Sequence, residues 1–379
     1  MAPDREEDVQ MASDPERTVG VGIVGLSANG GWAAGAHLPA LAAVDGFAVR
    51  AVAASSPQSA RAAAQAHGVP AASDSVEELA GRDDVDLVVV SVKVPRHREL
   101  VLPALAAGKA VLCEWPLAAG LDEVRELVGA ATGVRSFVGV QGRFAPAVRY
   151  LRDLVADGYV GEVLSTTLVG NGGVWGPVIH PGGEYLLDRD LGATMLTIPF
   201  GHTADALTSV LGEFADVVAT TATRRPQVRN AETGAAVPMT AEDQIAVSGT
   251  LVGGAVASIH LRGGTPRGTG FLWEINGTDG DLQVTSSTGS LNYGQITILG
   301  SQGGEPLAEL TTPASYDAFP ALAGQPAAAV AHAYAQIGRD LAEGTTVAPD
   351  FTHALRRHEL LDAVARSAAT GRRVEVPEK

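Results

Sequence analysis

An apolar run at residues 19–24 leads straight into Gly25-Leu26-Ser27-Ala28-Asn29-Gly30-Gly31, and a helical stretch follows at once. A glycine loop between a strand and a helix lets backbone amides at the helix start bind a pyrophosphate without side-chain charge. Gly25 would permit the tight turn, and Gly30 with Gly31 the close approach of backbone to ligand. Ser27 stands at the usual middle glycine, and the loop is longer than the usual spacing. Taken alone, the loop also fits an ordinary glycine-rich turn, so the flanking pattern has to decide.

That pattern alternates between strand and helix. Residues 47–54 read as a second strand, Ser56 and Pro57 open a helix, and Gly68 stands where a left-handed residue would close it. A helix at 76–80, a nearly all-aliphatic central strand at 85–92, a helix at 97–107, a strand at 110–113, a helix at 122–131 and a strand at 136–140 complete a doubly wound parallel sheet. After a helix at 146–156 the period changes. Strands are predicted at 163–169, 215–221, 243–251, 255–261, 271–276, 281–286 and 296–299, interrupted by a helix at 192–211 and closed by helices at 327–343 and 351–370. Strand after strand with turns between argues a large, mostly antiparallel open sheet. The expected fold class is therefore α/β: a disordered arm at 1–18, a Rossmann domain at 19–143, and an α/β substrate-binding and oligomerisation domain at 144–379.

Charge narrows the partners. With 27 basic against 43 acidic residues the net charge is -16, which repels nucleic acid and anionic membrane surfaces. No apolar run reaches membrane-spanning length, and the charged first 18 residues exclude a signal-peptide core, so a cytoplasmic location is expected. The single cysteine, Cys113, has no internal disulfide partner and reads as a buried thiol. The 9 histidines are scattered without ligand spacing, and no metal site is expected.

At the end of the second strand, where an acidic residue would bond the ribose 2'-hydroxyl of NAD, stands Ala54-Ser55-Ser56. Nothing there repels a 2'-phosphate. Ser55 and Ser56 could donate to it and Arg61 could pair with it, which favours NADP over NAD; simple N-capping accounts for Ser56 equally well.

The Gly-Ile-Val-Gly start, the His37 to Pro39 segment, the Val-Asp-Leu-Val-Val-Val strand, Ala-Gly-Lys-Ala-Val-Leu-Cys-Glu-Trp-Pro-Leu-Ala and Asn276-Gly277-Thr278-Asp279-Gly280 together resemble the Gfo/Idh/MocA family. The wording Gly-Leu-Ser-Ala-Asn-Gly-Gly-Trp, Gln-Gly-Arg, Gly-Asn-Gly-Gly and Phe-Gly-His-Thr-x-Asp is similar to the subgroup of fungal galactose-pathway repressors and their bacterial relatives. The resemblance runs from about residue 19 onward. It implies hydride chemistry on sugars or related polyols, a second-domain sheet that covers the nicotinamide, and a homodimer or homotetramer built through that sheet. It also implies cofactor contacts from Gly25, Ser27, Ala28, Asn29, Gly30, Gly31, Trp32, Val92, Lys93, His97, Glu114, Trp115, Pro116 and Gln141.

Two departures matter. The family's usual lysine position holds Trp115, and its usual aspartate position holds Ile198, so only His202 of that motif survives. Hydride transfer at a carbonyl needs a proton for the developing alkoxide, and neither replacement can deliver one. His202, Lys93 at the end of the central strand, and Tyr185 are the candidate substitutes; a surface lysine is an equal reading of Lys93. Arg143, Asn171, Trp175, His180, Tyr185, Asp188, His202 and Asp205 are candidate contacts to a small hydroxylated substrate. An oxidoreductase with an atypical proton relay leads, and a cofactor-binding regulator or redox-neutral chemistry on a retained nicotinamide remain as alternatives.

Overall fold

The computed structural model describes residues 18–377. The arm expected at 1–18 thus lies outside the described residues, apart from Thr18. The first sheet is built from β1 (Val19–Val24), β2 (Phe47–Ala53), β3 (Ala71–Ala72), β4 (Leu87–Val90), β5 (Ala110–Glu114) and β6 (Ser136–Gly139). Its order is β3-β2-β1-β4-β5-β6 and every pairing is parallel. The strand order reverses between β1 and β4, so the crevice beyond their carboxyl ends is where a ligand of this fold sits. All four residues of β4 are buried, as a central strand covered by helices requires. The flanking helices are α1 (Leu38–Ala43), α2 (Pro57–His67), α3 (Val76–Ala80), α4 (His97–Ala106) and α5 (Leu121–Ala130). A π-turn at Ala33–His37 feeds α1.

Beyond α6 (Pro146–Ala156) come β7 (Val163–Gly172), β8 (Val178–Ile179), α7 (Gly201–Leu211), β9 (Phe214–Ala222), β10 (Gln227–Asn230), β11 (Ala236–Pro238), β12 (Gln244–Leu251), β13 (Val256–Gly263), β14 (Leu272–Gly277), β15 (Gly280–Ser286), β16 (Ile296–Gln302) and β17 (Ala308–Glu309). The chain closes with α8 (Pro326–Glu343), α9 (Phe351–Thr370) and β18 (Val374–Glu375). Nine strands form one sheet, β17-β16-β15-β14-β7-β13-β12-β9-β18, antiparallel except where β13 meets β7. Along β12 and β13 alternate residues are buried, so one face is covered and the other open. The predicted strands all appear within a few residues. The small sheet β11-β10-β8 was not foreseen, because strands this short carry no readable alternation. The helix expected at 192–211 begins later, since short turns and a π-turn at Leu196–Phe200 around Pro199 precede α7.

The boundary at 143/144 divides the sheets but not the cores. Ala327, Val330, Ala331, Tyr334 and Ile337 of α8 are buried in one cluster with Val21, Ile23, Ala36, Ala40 and Leu41 of the first domain. The physical reason is α1. Ala40 and Leu41 face inward from this short helix, and α8 packs over it to bury that surface. Phe351, Leu360 and Leu361 of α9 enter the core cluster that also holds Val124 and Leu127 of α5. The last two helices thus join the domains.

Candidate functional site: a cleft over the glycine loop

β1 ends at Val24 because Gly25 turns the chain sharply. Its φ is +102°, and a Cβ there would stand 2.2 Å from the Ser91 carbonyl oxygen, so only glycine lets the loop pass the end of β4. Gly30 and Gly31 also have positive φ, 102° and 101°, but their surroundings are open. Ser27 accepts from the Asn29 backbone N–H at 3.2 Å and closes a tight bridge with Gly30. The extra loop length is thus folded against itself.

A cavity of about 510 Å³ lies over this loop. Val24 to Asn29, Ala54, Ser55, Ser59 and Ala62 line one part, and Ser91, Val92, Lys93, Arg96 and Leu100 another. Tyr185 and Leu191 reach in from the second domain. The Lys93 ammonium lies 4.5 Å from the centre of the Tyr185 ring, a cation–π contact that joins the two domains across the cavity mouth. Burial holds the Tyr185 phenol above its usual pKa, so it stays protonated near neutrality. A smaller cavity of about 240 Å³, beside Arg135, Phe137 and the start of α9, is lined by none of the glycine-loop residues.

A polar cluster stands at the end of β5, outside the residues that line the cavity. Glu114 accepts from Gln141 Nε2 at 3.0 and 2.8 Å on its two oxygens. The Trp115–Pro116 bond is cis. His97 lies between carbonyls, Nε2 3.1 Å from that of Val92 and Nδ1 3.0 Å from that of Pro116, so it ties the β4 and β5 loops together. His202, at the start of α7, has a buried Nδ1 with no hydrogen-bond partner among the described residues. Burial lowers its pKa below the ordinary imidazole range, opposed by the nearby charges of Glu114 and Asp205.

Several predicted roles move. Trp115 is 5% exposed, outside the cavity lining, and donates its indole N–H to the Thr197 carbonyl at 2.7 Å; it seals the seam between domains. Ser56 caps α2, accepting from the Ser59 N–H, and does not line the cavity. Arg61 pairs at 3.3 Å with Asp74 on the exposed side of α2 and does not line the cavity, whereas Lys93 and Arg96 do, Arg96 being paired with Glu99. Trp32 packs against the core beneath α1, with its Nε1 buried.

The substrate candidates separate in the same way. Arg143 and Asp205 hold each other, Nε and the terminal nitrogen at 2.8 and 2.9 Å from the two carboxylate oxygens, and His353 Nε2 lies 2.6 Å from the same carboxylate. They form a buried brace between domains, since an unpaired carboxylate at 1% exposure would be far too costly. Asn171 donates to the Gly270 carbonyl and Trp175 to that of Leu186, so both side chains serve backbone. His180 and Asp188 are exposed, and Asp188 accepts from the Asp190 N–H. Sequence reasoning missed Ser59, Arg96, Leu100 and Leu191. Arg96 carried a signal, a basic residue in the loop after the central strand; Leu191 is brought in only by the fold.

Residues 19–141 match the family model of an oxidoreductase family with an NAD-binding Rossmann fold, and residues 146–286 match the Gal80p C-terminal domain. The chain is 30% identical over 302 residues to the galactose/lactose metabolism regulatory protein GAL80 of Saccharomyces cerevisiae, spanning 73% of this chain and 69% of that protein. It is 38% identical over 219 residues to the dehydrogenase aclE of Aspergillus oryzae, spanning 56% of this chain and 60% of that one. Among solved structures, a super-repressor mutant of Gal80p from Saccharomyces cerevisiae superposes with a TM-score of 0.85 at 26% identity, covering 95% of this chain and 98% of that one. Levoglucosan dehydrogenase in complex with NADH and levoglucosan superposes with a TM-score of 0.83 at 21% identity, covering 96% and 100%, and so shares the fold. The Rossmann sheet, the positive-φ glycine loop and these likenesses agree: the chain belongs to the Gfo/Idh/MocA oxidoreductase family and carries a Gal80-type carboxy-terminal domain.

Proposed function

We propose that the chain is an NAD(P)-dependent oxidoreductase acting on a sugar-like or other polyhydroxylated substrate, with His202, Lys93 and Tyr185 in place of the family's usual proton relay. One observation carries this reading: the glycine loop and the Lys93–Tyr185 pair line the same cavity. The residues fit a dinucleotide. The glycine loop lines the cavity, and Gln141 Oε1 and His202 Nδ1 are buried polar atoms with no hydrogen-bond partner among the described residues. Gly25 to Gly31 would hold the pyrophosphate, and Ser55, Ser59 and Arg96 the adenosine end; with no carboxylate among the lining residues there, the reading favours NADP over NAD.

When bound, the nicotinamide supplies or accepts hydride. His202, held neutral by burial, accepts a proton from a substrate hydroxyl in the oxidation direction. It returns that proton to the alkoxide in the reduction direction, where the Lys93 ammonium and the Tyr185 hydroxyl stabilise the developing charge. The open face of the second sheet, where Val256 is exposed, supports a homo-oligomer, which light scattering would size.

A second reading, a dinucleotide-binding regulator, is favoured by Trp115, sealed against Thr197 at the position of the family's lysine. One experiment separates them. The purified chain is titrated with NADPH and NADH, then assayed against aldoses, anhydrosugars, polyols and keto-acids. Turnover that falls in H202A supports the oxidoreductase. Tight dinucleotide binding without turnover across the panel supports the regulator.

A further inference from the structure

Around the end of β5 lies a run of polar contacts to which the proposed reaction gives no task. Tyr334 of α8 is fully buried, and its hydroxyl lies 2.7 Å from Nδ1 of His37, a residue 297 positions away. Burial holds the phenol well above its usual pKa, so it keeps its proton. His37 Nε2 lies 3.1 Å from Glu114 Oε1, out of line for a straight hydrogen bond. Gln141 donates to both oxygens of the same carboxylate. Gly139 leaves it room, since a Cβ there would stand 2.5 Å from Glu114 Oε1.

Tyr334 reaches the carboxylate only through His37. Lys93 lies over Tyr185 and Arg143 is paired with Asp205. The remaining titratable groups that feel the charge of Glu114 are His97, His202 and Cys113, and burial disfavours the charged form of each. Glu114 ends β5, on the far side of the β1/β4 reversal from Ser55, which is the side where the nicotinamide end of a dinucleotide lies in this fold.

We propose that Tyr334 and His37 are positioning residues that, with Gln141, hold Glu114 as a fixed carboxylate at the nicotinamide end of the cleft, so that the site binds the oxidised, positively charged dinucleotide in preference to the reduced one. The proposal rests on the dinucleotide reading above. A carboxylate only 13% exposed, with its donors already oriented, attracts a cationic ring and gains little from a neutral one.

Calorimetric titration of the full chain with NADP+, NADPH, NAD+ and NADH tests this, with ADP-ribose as a probe of the adenosine and pyrophosphate end alone. The oxidised forms are expected to bind about tenfold tighter than the reduced ones, E114Q to level the two, and Y334F and H37Q to narrow the gap, all without change in ADP-ribose affinity. Equal wild-type affinities, or a ratio untouched by E114Q or by Y334F, overturn the proposal, while ADP-ribose binding leaves the dinucleotide reading in place. Failure of the wild type to bind ADP-ribose or any dinucleotide overturns both. Y334F removes one oxygen and keeps the ring, so it carries the test even if H37Q does not fold.

Discussion

The indole N–H of Trp115 donates to the carbonyl oxygen of Thr197, 2.7 Å away and 82 residues along the chain. The same ring lies against His358, with centroids 4.7 Å apart, and against Gly201, where a Cβ would approach the indole to 2.6 Å. The site is shaped for an aromatic plate. Installing the family's lysine as W115K would bury an ammonium there, and the unfolding free energy is expected to fall by about 3 kcal/mol with no gain in turnover. Urea denaturation and a steady-state assay check the two halves.

His358 itself predicts a pH dependence. Burial pushes its pKa down to about 3 from the ordinary 6.5, so below pH 6.5 the unfolded chain takes up a proton that the folded chain refuses. Stability is then fully present above 6.5 and is lost as pH falls, by about 1.4 kcal/mol per unit for this one group, until the folded pKa is reached. His97, His202, His332 and His353 slope the same way. H358Q is expected to flatten the curve of stability against pH between 6.5 and 4 relative to wild type, as denaturant midpoints at each pH would show.

The Asp205 brace works at lower pH. Arg143 and His353 hold its carboxyl well below the usual carboxylate range despite burial, so its contribution is complete above its unfolded pKa of 3.8 and drains away as acid approaches the folded value. D205N leaves Arg143 facing a neutral amide and is expected to cost about 3–5 kcal/mol at neutral pH. If the pair were instead a substrate contact, D205N would weaken substrate binding and leave the thermal midpoint in place.

Gly25 and Gly30 share a φ of +102° but not a neighbourhood. G25A must both strain the backbone and push the Ser91 carbonyl aside, so a loss of about 3 kcal/mol and of dinucleotide affinity is expected; G30A carries the strain alone, about 1 kcal/mol. Paired melting curves with and without NADPH would separate them.

Ser55 lines the cavity at the end of β2. S55D would place a carboxylate where a ribose 2'-hydroxyl can use it and a 2'-phosphate cannot, so NADPH affinity is expected to drop by about tenfold or more while NADH affinity holds or rises. An unchanged ratio would place the 2' position elsewhere.

The alternation of strands and helices was legible because each period repeats within a few residues, and the glycine loop because its meaning is backbone geometry. The side-chain partnerships were not. Arg143 reads as a cleft residue until Asp205, 62 positions on, is seen to hold both its nitrogens. Asn171 reads as a ligand contact until Gly270 is found beside it, 99 positions away. Ser56 was undecided between two roles, and the local one, capping α2, is the one the fold uses. Polar residues in a loop look alike in sequence whether they serve a ligand or a distant carbonyl, since the sheet topology alone decides which carbonyl arrives.

The crossing of α8 onto the first domain sets an order of events during synthesis. The face of α1 that α8 covers belongs to the earliest part of the sheet, yet its cover is translated some 290 residues later. A ribosome therefore releases a Rossmann half whose second core stands open until Ala327 to Ile337 emerge, so the nascent chain carries an exposed apolar surface through most of its translation. Native closure of both cores waits on the last helices.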